Sequence, residues 1–463
     1  MAALFRLVAC GVLVLGTACK GDAKDPPKGA APNPAPDTCA SAKLEGGLAW
    51  ISDDYPGAVA CAKQQHVPLV LDLWAPWCHT CLSMQTTVFL DPSFGADNTR
   101  FVFAKLDTDR EQNAGPMEKL AIAAWPTFYV VDSTSEAVLS RFVGGATVAQ
   151  FHEFLEAGLR ATKGGADAAS THMLGAQRAL AMKDYPTADA ELTAGLAAAP
   201  ATWPSRPELL VELIMTKAKA KDTAGCMDLA DKHLDELGNA AATSDFLVTA
   251  MSCTDDSKDP AAAKALRERA VKRWQRLLDE SKELSIDDRS DAMASERETL
   301  DKLGDKAGAN QLALAQRTLL DDAATKAPNP LAAMTYNWPR TEVYVYLGVP
   351  LELVPALEKS AKDLPTEYDP RARLGYLYFQ AKKYDEAATW TDAALALVYG
   401  PRKGRVLMLR AEIAGALHDV AGQKQFLDHA VALYAALPKG QEAPEAFARA
   451  TDALAKLGAG SAK

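Results

Sequence analysis

The chain has 463 residues, of which 48% are apolar and 24% charged, and a formal net charge of −10. This length exceeds one typical domain, so two or more are expected. Acidity without a basic block argues against a nucleic-acid partner.

The first 18 residues have the pattern of an export signal. Arg6 is the only charge, and Leu7 to Leu15 form an apolar run too short to span a bilayer as a mature helix. The small residues Gly16, Thr17 and Ala18 then precede Cys19. This resembles a bacterial lipoprotein signal. The resemblance implies that Cys19 is lipidated, starts the mature chain and anchors it in the cell envelope facing the periplasm. Leu15 lies one place early for that box, and Cys10 fits it better but leaves too short an apolar segment, so simple cleavage is the alternative. Residues 19–44 read as a linker, whose 20–37 part is rich in Pro, Ala, Gly and charge. Such a segment cannot bury a core and stays extended, as a tether or a plain tail.

The eight cysteines fit an exported chain. Once Cys10 leaves with the signal and Cys19 takes lipid, the rest group as Cys39 with Cys61, Cys78 with Cys81, and Cys226 with Cys253. Spare cysteines outside the cytosol tend to pair. Cys39–Cys61 and Cys226–Cys253 are therefore expected as structural bridges, each contributing roughly 3 kcal/mol in the chain-entropy model. The plainer reading of Cys61 is a buried apolar residue on a helix.

Residues 45–162 form the first expected domain. Tyr55 to Gln65 has helical spacing. Val67 to Ala75 is an apolar run broken by Asp72, typical of a strand covered on both faces. Residues 79–90 read as a helix, Phe101 to Leu106 as a strand and 115–124 as a short helix. Strands at Phe128 to Val131 and Ala137 to Val143 and a helix from Thr147 to Arg160 complete the order. At the end of the first strand stands Trp74-Ala75-Pro76-Trp77-Cys78-His79-Thr80-Cys81. A thiol at a helix start meets unpaired N–H groups and the positive end of the helix dipole, which favour the nucleophilic thiolate. A second cysteine one turn later can close a disulfide on it. Half a zinc site is the other use of Cys-x-x-Cys, but a structural site needs four ligands and no second such pair exists, so no metal is expected.

This segment resembles a thioredoxin-fold domain. The resemblance rests on the Trp-Cys-x-x-Cys motif, on Asp72 in the preceding strand, and on Trp125-Pro126-Thr127. The Asp91 to Phe94 segment is most similar to the C-terminal periplasmic domain of bacterial transmembrane disulfide reductases. The resemblance implies that Cys78 is the nucleophile and Cys81 the resolving thiol. It implies that Asp72 is a buried acid relaying a proton, and that Pro126 is cis, holding backbone beside Cys78 for an extended substrate. Trp77, His79, Trp125, Pro126 and Thr127 would then shape the docking surface, and the redox-active disulfide would serve without another cofactor. His79 adjoins the nucleophile, where positive charge favours thiolate and a more oxidising couple. Its bland alternative is a solvated helix-start residue.

From residue 167 to 460 strand-like runs vanish and helical periodicity continues. Leu374-Gly375, Tyr378, Tyr384, Ala387, Ala394 and Leu395 resemble a tetratricopeptide repeat, with Arg371 and Thr391 at positions usually aromatic. Leu174-Gly175, Tyr185, Ala188, Leu192, Leu196 and Pro200 repeat the outline, and residues 404–437 form a weaker copy. Helices are expected at 206–220, 224–237, 242–253, 260–282, 287–303 and 306–325. Residues 335–350 read as either a loop or a short helix. Stacked helix pairs offer a concave face for a protein partner, the alternative being a spacer.

The expected fold class is an α/β thioredoxin fold followed by an all-α, tetratricopeptide-like helical-repeat solenoid. The expected function is an exported thiol:disulfide oxidoreductase, with the reductase direction favoured by the resemblance. Its partners would be protein disulfides, a thiol partner for electron exchange, a protein on the repeats, and a membrane through lipid only. The competing reading is a cell-envelope scaffold in which the thioredoxin fold is not catalytic.

Overall fold

The computed structural model describes residues 39–120, 122, 124–164 and 167–460. The expected signal (1–18), Cys19 with its expected lipidation, and residues 20–38 of the linker lie outside the described residues. Among the described residues, no helix is long and apolar enough to cross a membrane.

Lys43–Glu45 (β1) and Leu48–Ser52 (β2) pair as an antiparallel hairpin. This corrects the expectation that 19–44 is linker throughout and that the first strand follows the first helix. Gly46 makes the turn at φ +64°, and a side chain there would meet the Phe89 carbonyl at 2.6 Å. Helix α1 (Tyr55–Gln65) follows. It is capped by Asp54, which accepts the Gly57 N–H, and ends at His66 in the left-handed conformation. Then come β3 (Leu69–Trp74), α2 (His79–Thr86), β4 (Val102–Asp107), α3 (Ala114–Met117), β5 (Thr127–Val131), β6 (Val138–Val143) and α4 (Val148–Thr162).

The strands form one sheet in the order β1-β2-β4-β3-β5-β6, with β3 parallel to β4 and antiparallel to β5. Both faces of β3 are buried, as its apolar run requires. Leu69, Leu71 and Leu73 join the core that includes Ala58 and Ala62 of α1. Val70 joins the opposite core, with Met84 of α2 and Phe151 of α4. By the two-residue period of a strand, Asp72 shares the Val70 face, under α2. Helix α2 is shorter than the expected 79–90. It stops at Thr86, and Val88–Leu90 continues as a tight 3₁₀ turn. Helix α3 is likewise a single turn where 115–124 was expected.

The remaining chain is helical: α5 (Ala168–Ala181), α6 (Tyr185–Ala198), α7 (Arg206–Lys219), α8 (Thr223–His233), α9 (Ala241–Asp255), α10 (Pro260–Glu280), α11 (Ile286–Leu303) and α12 (Lys306–Lys326). It continues through α13 (Pro330–Met334), α14 (Asn337–Tyr346), α15 (Val354–Asp363), α16 (Asp369–Gln380), α17 (Tyr384–Leu395), α18 (Gly400–Ala416), α19 (Val420–Ala436) and α20 (Pro444–Gly460). Residues 335–350, left open between loop and helix, thus hold α14 and the turn after it.

One turn recurs between paired helices. Lys183, Lys221, Gly304 and His418 all have positive φ. Each is followed by an aspartate, Asp184, Asp222, Asp305 or Asp419, whose carboxylate accepts a backbone N–H three residues on. A left-handed residue ends one helix and an Asp N-cap starts the next. At α16–α17 the pair packs so closely that a Cβ on Gly375 would lie 2.4 Å from Thr391 Oγ1. Thr391 is fully buried, so a small residue at this usually aromatic position fits the contact.

The helical array contacts the α/β unit at its start, middle and end. Arg141 of β6 pairs with buried Glu212 of α7. Gln150 of α4 donates to Glu208 at 3.0 Å. Gln441, before α20, donates to the carbonyls of Thr108 at 2.7 Å and Arg110 at 2.8 Å. The Tyr399 hydroxyl, before α18, donates to Asp107. Disulfides join Cys39 to Cys61 of α1, and Cys226 of α8 to Cys253 of α9.

Candidate active site

Where β3 gives way to α2, the chain turns through residues 75–78, and Cys78 becomes the N-cap of α2. Its Sγ accepts the Cys81 N–H at 3.0 Å, one of the free donors of the first turn. Cys78 and Cys81 are joined as a disulfide. Both are buried, at 5% and 1% exposure, in a small cluster with Ala75, Trp74, Trp77 and Trp125. The geometry is that of a dithiol pair at a helix start, where the dipole favours a thiolate on Cys78 once the bond opens.

Asp72 lies fully buried in β3, and its Oδ1 has no hydrogen-bond partner. Burial pushes its carboxyl up to about 7, against the pull of Lys105 and the Gln85 amide. A group poised near neutrality can both take and return a proton.

Two loops complete the surface. The Trp125–Pro126 bond is cis. The Pro126 carbonyl accepts the Gly144 N–H at 2.9 Å, and the Thr127 hydroxyl donates to the Ala124 carbonyl at 2.7 Å. Trp125 packs edge-to-face on Trp77 with ring centroids 5.1 Å apart, and its Nε1 donates to Thr108 Oγ1 at 2.9 Å. Trp77 Nε1 donates to Asp109 Oδ2 at 2.8 Å. Asp109 is held up to about 7 by its burial and by the charge of Asp107.

His79 is not the solvated helix-start residue of the bland reading. Its Nδ1 lies 2.9 and 3.1 Å from the two carboxylate oxygens of Asp287 on α11. Asp291 is 3.9 Å away. Burial opposes its charge, but Asp287 and Asp291, with Glu342 of α14, outweigh burial and raise the imidazole to about 10. Three potential ligand atoms of His79, Asp287 and Asp291 fall within 4.8 Å of one another. His79 Nδ1 is engaged with Asp287 as an ion pair.

The structure thus brings together Cys78, Cys81, Asp72, Trp77, His79, Trp125, Pro126 and Thr127. Sequence reasoning missed Asp287, Asp291, Glu342 and Asp109 as their neighbours. No local signal could have found the first three, because they lie more than two hundred residues beyond the motif on elements that meet it only in the folded chain.

A cysteine pair at the start of a helix, a buried acid beneath it and a cis-proline loop beside it define a thioredoxin-like site. Residues 49–133 match the family described as thioredoxin-like, so this part of the chain is a thioredoxin-like domain followed by a helical region. No curated protein matches the chain. Among solved structures, it is similar to a tetratricopeptide repeat protein from Parabacteroides merdae. That match has 14% identity and a TM-score of 0.40, covering 63% of this chain and 98% of the other. It is also similar to BtubC (BKLC) from P. vanneervenii at 13% identity and a TM-score of 0.31, covering 49% of this chain and 91% of the other.

Proposed function

We propose that the protein is an exported thiol:disulfide oxidoreductase acting on protein disulfides, mainly as a reductase. The observation that carries this reading is the Cys78–Cys81 pair at the start of α2, with Cys78 Sγ on the Cys81 N–H. In the reduced protein the Cys78 thiolate attacks one sulfur of a substrate disulfide. The other substrate sulfur leaves as a thiolate and takes a proton. Asp72 accepts the proton of Cys81, whose sulfur then attacks Cys78 Sγ. The second substrate thiol departs and Cys78–Cys81 closes, so two electrons have passed to the substrate. A separate dithiol partner restores the reduced pair. Trp77, Trp125, Pro126 and Thr127 form the edge against which the substrate docks.

The reductase direction is supported by the surroundings of His79. A lone imidazolium beside Cys78 would stabilise the thiolate and make the couple oxidising. Here that charge is paired with Asp287 and faces Asp291 and Glu342, so less of it acts on Cys78. The expected reduction potential lies nearer the thioredoxin value of about −270 mV than about −120 mV. Export, lipid anchoring at Cys19 and a periplasm-facing location rest on the N-terminal sequence. The helical array is the docking site for a protein partner, and nucleic acid has no part in the function.

The test is reduction of insulin disulfides by dithiothreitol, comparing wild type with Cys78→Ser and Cys81→Ser. Cys78→Ser should abolish catalysed turnover, and Cys81→Ser should accumulate mixed disulfides visible on a non-reducing gel. Equal rates for wild type and Cys78→Ser would support the scaffold reading instead.

A further inference from the structure

Between the α/β unit and both ends of the helical array lies a cleft of about 610 Å³. That is within the roughly 300–1,000 Å³ range of ligand pockets. Trp77, Thr108 and Trp125 form one wall, next to the dithiol cluster. The helical walls carry five cations: Lys183, Lys219, Arg402, Arg405 and Lys439. Among the described residues, no ion pair or side-chain hydrogen bond engages any of the five. The lining also holds three carboxylates, Asp109, Glu118 and Glu442. Asp109 is already bonded to Trp77 Nε1, and Glu442 accepts the Gly440 N–H at 2.7 Å. The whole chain has 60 acidic and 50 basic side chains, so this cleft reverses the balance of the rest.

The cations are graded along the cleft. Lys183, Lys219, Arg405 and Lys439 are exposed, whereas Arg402 is half-buried at the inner end. Its guanidinium lies 4.8 Å from the centre of the Trp77 ring. A guanidinium set over an aromatic ring still has N–H donors to offer a planar carboxylate. Burial, with the nearby charges of Arg373 and Arg405, pushes Arg402 down to about 10, so an added anion would relieve it. Exposed cations outside and a half-buried one against the active-site tryptophan form a path that an extended anionic chain can follow to the dithiol.

We propose that this cleft receives an acidic, extended segment of the substrate protein, whose carboxylates pair with Arg402, Arg405 and Lys439 and bring the neighbouring disulfide to Cys78. This rests on the dithiol reading above and adds to it the chemical class of substrate. Positive charge focused in a cleft also raises the encounter rate with such a segment, an effect that salt screens.

The test uses the full chain and two dye-labelled peptides of equal length, one Glu-rich and one Lys-rich, each also prepared as a disulfide-linked pair. Fluorescence anisotropy should show binding of the Glu-rich peptide alone. The double variant Arg405→Glu/Lys439→Glu, both changes at exposed positions, should weaken that binding by about tenfold or more, a loss of about 1.4 kcal/mol. Salt that shortens the Debye length from about 10 Å to about 3 Å should weaken it as well. Dithiothreitol-driven turnover should favour the Glu-rich disulfide, and the double variant should erase that preference. Equal binding of the two peptides, or Glu-rich binding unchanged in the variant, would overturn the proposal. So would a cleft that takes glutathione disulfide but not the Glu-rich peptide, because the occupant would then be a small anion. If the Glu-rich peptide binds as expected and neither disulfide is reduced, the dithiol reading fails while the acidic-segment site stands.

Discussion

The helical array treats the two flanks of the Cys-x-x-Cys turn oppositely. On the His79 side it presents carboxylates, Asp287 and Asp291 of α11 and Glu342 of α14. On the Trp77 side it presents cations, led by Arg402 of α18. The same helical array thus offsets the charge beside Cys78 and lines the Trp77 side with cations. The lesson is that the helical array is part of the immediate environment of the Cys78–Cys81 pair. The two flanks have different consequences. Under the proposed chemistry, charge at His79 would act through the Cys78 thiolate and so on the potential, whereas charge at Arg402 would act on what can approach.

Apart from the two cysteines, the largest effect expected is at Asp72, beneath both flanks. Asp72→Asn should slow catalysed turnover by about a hundredfold, in the range of a lost general base. In wild type the resolving step needs ionised Asp72, so its rate should rise with pH through about 7. Stopped-flow resolution of a mixed disulfide should show that rise and its disappearance in Asp72→Asn. An unchanged profile would remove Asp72 from the proton path.

Next in size is the structural bridge of the array. Replacing Cys226 and Cys253 together by Ala should cost roughly 3 kcal/mol of stability in the chain-entropy model, read by denaturant melts. The Cys78–Cys81 potential should stay where it was, since both flanks remain. A shifted potential would mean that the bridge holds the acidic flank in place.

A smaller effect isolates that flank. Asp287→Asn should bring the His79 imidazole from about 10 down toward its ordinary 6.5, read by NMR titration. The stability loss should be roughly 1.5–3 kcal/mol, that of a hydrogen bond to a charged group. The folded value of His79 lies above its unfolded one. Its contribution to stability is therefore full below about 6.5 and is lost as pH rises through about 10. Melts of wild type and Asp287→Asn should accordingly differ at pH 6 and converge toward pH 10. A constant gap would mean that the contact is steric and the ion pair contributes little.

Much of the fold was legible locally. β3 announced itself by the apolar run Val67 to Ala75 ending in the motif, and α4 by helical spacing from Thr147 to Arg160, which the structure shows closed by a Thr147–Gln150 capping box. The β1–β2 hairpin was missed because its strands are only three and five residues long, although Gly46-Gly47 marks the turn. Helix α14 stayed ambiguous because its aromatics are distributed around a short helix. The turns of the array were written in the Lys-Asp and His-Asp pairs, a signal that reading for repeat consensus alone passes over.

By itself the sequence located the Cys78–Cys81 pair, the buried acid in the strand before it and the proline loop, because these depend on spacing within one strand–turn–helix unit and a nearby strand. It also grouped the cysteines that the structure joins at Cys39–Cys61 and Cys226–Cys253. Only the tertiary structure decided what surrounds the motif. The carboxylates around His79 come from α11 and α14 and the guanidinium over Trp77 from α18, with no sequence period to announce them. Which way His79 acts on Cys78 is therefore set by carboxylates that the array brings to it.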